Sequence, residues 1–184
     1  NAIIVSSSKG LFEIKILNNK SVIRSLNFQK KIKRLISCDN RIFFASDNTL
    51  HEITKTSVLA AKQFPKNIKG IFSTENGIGI SFENQFIHLN KKNIEEKTFS
   101  IPASVNDCIL SDGRYWLATQ ENGLVIYTPN SEKPFNRSLN QKRKNSLVSK
   151  KIKCIFKDSF GIIWIGTDSG INKIDPSKQQ LLHY

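Results

Sequence analysis

Four acids recur at one place in the pattern of this chain. Asp39, Glu75, Asp112 and Asp158 each follow a short apolar segment and open a turn rich in Asp, Asn, Gly or Ser. Two carboxylates facing one glycosidic bond can act as acid and base in its hydrolysis. One acid per repeat, always in the same turn, instead sets the four around a ring on one face, each capping its own hairpin. His51 and His88 fall on the third strands of adjacent repeats, one register apart, and His183 lies near the end, so the three or four convergent ligands of a metal site do not assemble. Cys38, Cys108 and Cys154 are too few and too far apart for a zinc motif or a disulfide framework, and they read as small buried hydrophobes. There is no Gly-rich phosphate loop and no spacing that supports a Ser/His/Asp arrangement. The segment is therefore assigned no catalytic residue, no metal and no cofactor, and is read as non-enzymatic.

Trp116 and Trp164 share a repeat position. An aromatic face can stack on a sugar ring, but a large side chain recurring inside an apolar run fits core packing between sheets better. Thr119 and Thr167 end the same two runs, where their hydroxyls are placed for local bonds at the turn. The formal charge of +13 is uneven: Pro129 to Lys157 carries nine Lys/Arg against Glu132 as its one acid. Such a cluster can bind a polyanion by releasing counterions. Only Phe135 and Phe156 are interleaved with it, so the stacking aromatics of a nucleic-acid site are missing and nucleic acid is disfavoured as a partner. The connection 129–148 reads as a mobile, solvated loop outside the core.

These residues are positioned by a repeat. The segments starting at Ile32, Ile68, Val105 and Ile152 align, with anchors 36, 37 and 47 residues apart, and the last interval is lengthened by the basic connection. Each unit continues through a polar turn, a dense apolar run such as Tyr115-Trp-Leu-Ala-Thr or Ile163-Trp-Ile-Gly-Thr, a second polar turn, a third strand and a more polar fourth strand ending near Phe64, Phe99, Phe135 and Tyr184. Turn signals every 8–12 residues and the lack of a helical period indicate an all-β chain. No apolar stretch approaches the ~20 residues of a membrane helix. With no Met anywhere and no leader-like start, the chain reads as a processed or excised segment.

Middle strands apolar on both faces and a polar last strand are what a β-propeller blade requires, because neighbouring blades sandwich the inner strands. The expectation is a propeller fragment of about four to five four-stranded antiparallel blades: 1–30 lacking its first strand, then 31–66, 67–103, 104–148 and 149–184. A β-helix or a sandwich competes, but a sandwich does not need a near-constant period.

The run from Asn145-Ser-Leu through Asp158-Ser-Phe-Gly161, Trp164-Ile-Gly166-Thr167, Gly170 and Asp175-Pro resembles the repeat of the two-component regulator propeller family, and Asp112-Gly-Arg-Tyr-Trp116-Leu-Ala-Thr119 with Gly123-Leu-Val-Ile-Tyr repeats it. The units at Ile32 and Ile68 keep only its spacing. The resemblance implies the extracytoplasmic, periplasmic part of an inner-membrane sensor. It would bind a small molecule or oligosaccharide and signal to a histidine kinase through the remaining blades and downstream domains of the same chain, with a homodimer among its assemblies. Geometry places the lead-in loops and the second-to-third strand turns on one face. That face would present Lys66, Asn67, Ser104, Asn145 and Ser146 with Asp47, Asn84, Glu121, Asn122 and Asp168. Asn67, Asn84, Glu121, Asn122, Asn145 and Asp168 are the candidate ligand residues. An interaction scaffold is the alternative function, and a polysaccharide-active enzyme a further one.

Overall fold

The computed structural model describes the backbone except at residues 1, 18–19, 56, 94, 102, 129–134, 138–145, 176–179 and 184; the side chains of 96, 135–137 and 180–183 are also not described. The described chain is all-β and forms five antiparallel sheets built from consecutive strands. The first holds β1 (Ala2–Ser7), β2 (Gly10–Leu17) and β3 (Lys20–Ser25). The second holds β4 (Leu35–Cys38), β5 (Arg41–Ser46), β6 (Thr49–Ile53) and β7 (Val58–Gln63). The third holds β8 (Gly70–Thr74), β9 (Gly77–Ser81), β10 (Gln85–Asn90) and β11 (Glu95–Ser100). The fourth holds β12 (Val105–Ser111), β13 (Arg114–Thr119), β14 (Leu124–Tyr127) and β15 (Phe135–Arg137). The fifth holds β16 (Ile152–Lys157), β17 (Ile163–Thr167), β18 (Ile171–Asp175) and β19 (Gln180–His183). Among the described residues no helix is long and apolar enough to cross a membrane.

Contacts divide the chain into two compact units, Asn1–Ile71 and Phe72–Tyr184. In the second unit β13 shows why alternation disappears from the inner strands. Tyr115 and Leu117 enter a core with Phe72, Phe86 and Cys108, while Trp116 and Ala118 enter another with Ile152, Ile155, Ile163, Ile165 and Ile174. The next strand, β14, divides in the same way, Val125 and Tyr127 going to the first core and Leu124 and Ile126 to the second. Successive side chains of a strand point to opposite faces, so a sheet between two sheets must be apolar at every position. In the first unit Leu11, Leu26 and Phe44 form the core, with Ile4, Phe28 and Ile53 against it.

The end sheets keep only one buried face. Register places Ile3, Val5, Ile16 and Ile23 together on the face of the first sheet opposite Ile4 and Leu11, and these four are exposed. In the fifth sheet Cys154, Phe156, Trp164 and Ile171 share the face opposite Ile155 and Ile165; Cys154, Phe156 and Ile171 are exposed and Trp164 is half-buried.

Two expectations from the sequence fail. Cys154 is not buried, because it lies on that open face, whereas Cys38 and Cys108 are. The connection 129–148 is not uniformly a loop outside the core. Residues 135–137 pair with β14, and Leu147 is buried with Ile152 and Ile165; the stretches 129–134 and 138–145, with Lys142, Arg143 and Lys144, lie outside the described residues. Strands β4 and β8 begin at Leu35 and Gly70 rather than at Ile32 and Ile68. In β12 and β16 the ladder shifts register after the first residue, between Val105 and Asp107 and between Ile152 and Cys154, so the start of the unit is where the chain joins the ladder irregularly.

Candidate functional site

The residues that carry the repeat close its turns. Thr119 Oγ1 donates to the Gly123 carbonyl at 2.6 Å and accepts from Asn122 N at 3.0 Å. Thr167 Oγ1 repeats this with the Gly170 carbonyl at 2.8 Å and Ser169 N at 3.1 Å. One hydroxyl thus satisfies a turn N–H and adds a second donor to a carbonyl that already accepts from the threonine's own N–H. Gly166 stands opposite Cys154, whose Sγ occupies the space a Cβ at 166 would need.

The four turn acids have diverged. Asp158 Oδ1 accepts from Phe160 N and Ile162 N, and Oδ2 accepts from Trp164 Nε1 at 2.9 Å. The indole bond, with these backbone donors and Lys173, holds its carboxyl below the usual range. Asp112 and Gly113 instead both have positive φ, as do Asp39 and Asn40, so these two hairpins turn through two left-handed residues. Asp112 Oδ2 accepts from Ser111 Oγ at 3.1 Å. Glu75 is paired with Lys157. Hairpin capping therefore describes Asp158, because the longer turn at 158–162 folds its amides back onto the acid.

The candidate ligand residues fall on turns held by backbone bonds. Gly123 N donates to the Lys150 carbonyl at 3.0 Å and Asp168 N to the Lys151 carbonyl at 3.2 Å, which brings the turn bearing Glu121 and Asn122 and the turn bearing Asp168 to the same lead-in segment. Glu121 and Asp168 are exposed and Asn122 half-buried. Hydrogen bonds from Ser149 and Ser169 and the charges of Lys151 and Lys153 depress the Asp168 carboxyl. Asn84 is exposed on its own turn, its carbonyl accepting from Ile101 N at 3.1 Å. Asn67 is exposed before Ile68 in the first unit, and Asn145 lies outside the described residues.

Sequence reasoning missed a groove at the other end of the inner strands. Ser73, Thr74 and Glu75 from the end of β8, Ile109 and Leu110 from β12, and Phe156, Lys157 and Asp158 from the end of β16 line an open cavity of about 300 Å³. Lys157 Nζ lies 3.4 Å from Glu75 Oε1 across it, joining the third sheet's first turn to the fifth sheet. The available signal was Phe156-Lys157, an apolar and a charged residue standing just before the turn acid.

His51 and His88 serve packing. His51 stacks on Phe44 at 4.8 Å and meets Phe28 edge-on; its pKa is lowered by burial and by Lys30, against a smaller raising effect of Asp47. His88 is buried, its Nε2 3.0 Å from Thr74 Oγ1. Among the described residues no three His, Cys, Asp or Glu gather as metal ligands.

Residues 146–169 match the family model of the two component regulator propeller, so the resemblance carried by Trp164, Gly166 and Thr167 is shown for that repeat. The chain is similar in structure to the extracellular domain assigned to a one-component system, BT4673, of B. thetaiotaomicron, with a TM-score of 0.74 and 18% identity over 94% of this chain and 26% of that one. It is also similar to the extracellular domain assigned to a hybrid two-component system, BT3049, of the same organism, with a TM-score of 0.72 and 15% identity over 98% of this chain and 28% of that one. Virginiamycin B lyase from Staphylococcus aureus shares the fold as well, at a TM-score of 0.69 and 16% identity, covering 97% of this chain and 64% of the lyase. No curated protein matches. At these identities the likeness establishes the fold, a partial β-propeller, and the chain spans about a quarter of the length of the two B. thetaiotaomicron chains.

Proposed function

We propose that this chain is part of an extracytoplasmic propeller that senses a polar ligand, an oligosaccharide, for a two-component regulator of the inner membrane. The observation that carries the reading is the regulator propeller repeat at residues 146–169, set in a fold shared with extracellular domains of such systems. In this reading the blades run 1–30, 31–66, 67–103, 104–148 and 149–184. Further blades of the same protein cover the apolar face that bears Phe156 and Trp164, and the protein forms a homodimer that signals to a histidine kinase. Glu121, Asn122 and Asp168 hold the ligand on their shared lead-in segment, with Asn84 from another turn of the second unit; Asn67 and Asn145 are proposed from their lead-in places in the repeat alone. Aligned polar side chains on rigid hairpins suit a ligand rich in hydroxyls.

Calorimetric titration with a panel of neutral oligosaccharides tests the site. One of them should bind saturably, and Glu121→Gln and Asp168→Asn should each weaken it by about tenfold, the scale of one lost charge-assisted bond. The same sugar should induce kinase-dependent transcription in cells carrying the full-length protein. Binding that survives both substitutions would remove the site, and binding without any transcriptional response would favour the scaffold.

A further inference from the structure

We propose that the groove between Glu75 and Lys157 is a second binding site, for a zwitterion with an apolar side chain: a free amino acid or a short peptide. It is separate from the polar turns assigned to the sensed ligand and does not depend on that reading. The two charged groups come from different sheets, and the apolar Ile109 and Leu110 of the intervening sheet line the groove with Phe156. Ile109 is only partly buried, so apolar surface faces water there even when further blades cover the face that bears Phe156.

The chemistry follows from two conditions. An ion pair with one partner 55% exposed is weak and easily parted. Parting it inside a groove leaves two charges, and a ligand carrying only one charge would desolvate the other without a partner. A zwitterion answers both: its ammonium takes the Glu75 carboxylate and its carboxylate takes the Lys157 ammonium, while an apolar side chain covers Ile109. Asp158, which also lines the groove, is already engaged by Phe160 N, Ile162 N and Trp164 Nε1. The volume of about 300 Å³ suits one or two residues of peptide.

The test is titration of the 184-residue chain with leucine, leucyl-leucine, isopentylamine and 4-methylpentanoate, the last two keeping the alkyl group and one charge each. Leucine or leucyl-leucine should bind at least about tenfold more tightly than either singly charged analogue. Glu75→Gln should erase the advantage over 4-methylpentanoate, and Lys157→Met the advantage over isopentylamine, with thermal unfolding unchanged in both. Equal affinity for all four ligands, no saturable binding below about 10 mM, or zwitterion binding untouched by both substitutions overturns the proposal. A Glu75→Lys, Lys157→Glu double substitution that restores the preference would support it.

Discussion

Asn106 Nδ2 donates to the Ile152 carbonyl at 2.7 Å, fastening the first strand of the fourth sheet to the first residue of the next one, 46 positions away. Lys33 stands at the same repeat position two units earlier, and its ammonium donates to the Ile68 carbonyl, again the first residue of the following unit. An amide and an ammonium are thus interchangeable at this position, each supplying the donor that a carbonyl at an irregular strand start lacks. Asp107 adds to the clasp by accepting from Ile155 N at 3.2 Å.

Asn106→Ala should destabilise the chain by about 1–2 kcal/mol, the cost of leaving a half-buried carbonyl unpaired. Asn106→Lys should recover most of that loss, because lysine already serves at position 33. Denaturant unfolding of the two variants checks this, and equal stability of Ala and Lys would show that the bond contributes nothing.

The two tryptophans should differ in their effect on stability. Trp116 is 6% exposed and lies in the core formed with Ile155 and Ile165, so Trp116→Ala should cost about 3–5 kcal/mol. Its Nε1 has no hydrogen-bond partner among the described residues, and Trp116→Phe should therefore be far milder. Trp164 sits on the open face with Lys173 over its ring, and Trp164→Ala should cost less, about 1–2 kcal/mol, in this chain. Thermal unfolding of the three variants orders them.

His51 gives the first unit a pH dependence. Its folded pKa lies below the ordinary 6.5, because burial against Phe28 and Phe44 and the nearby Lys30 disfavour the cation, with Asp47 opposing them in part. A depressed histidine contributes stability that is present above the unfolded pKa and is lost as pH falls through the folded value. Stability measured from about pH 7.5 downwards should decline once below the ordinary histidine value of about 6.5, and His51→Phe should flatten that part of the curve. An unchanged profile would assign the decline to other groups.

Gly79 has no room for a methyl group. A Cβ there would lie 2.6 Å from Cζ of Phe86, a fully buried ring set between Phe72 and Tyr115. Gly79→Ala should cost about 1–3 kcal/mol by overpacking. At Gly166 the obstacle is the exposed Cys154 thiol, 2.7 Å from the same point and free to rotate away, so Gly166→Ala should cost less and be relieved by Cys154→Ala. Chemical denaturation of the three variants tests the ranking.

Local chemistry made the blade legible in the sequence. Apolar runs at Tyr115–Ala118 and Ile163–Ile165, the turns at Asp112-Gly113 and Asp158-Ser-Phe-Gly161, and the near-constant period are properties of neighbouring residues, and hairpins are formed by neighbours. Thr119 and Thr167 were readable for the same reason, since each bonds within four residues of itself. What a residue does across sheets depends on atoms tens of positions away, and only the tertiary structure decided it. Trp116 and Trp164 are the same residue at the same repeat position, yet one is buried and the other lies on an open face, because a fifth sheet covers the first. Asp158 and Glu75 hold equivalent turns, but turn length gave one an indole and two amides, and the approach of β16 gave the other Lys157. The groove over Ile109 is the plainest case: three strand ends from three separate repeats meet there, and no periodicity within one repeat encodes that meeting.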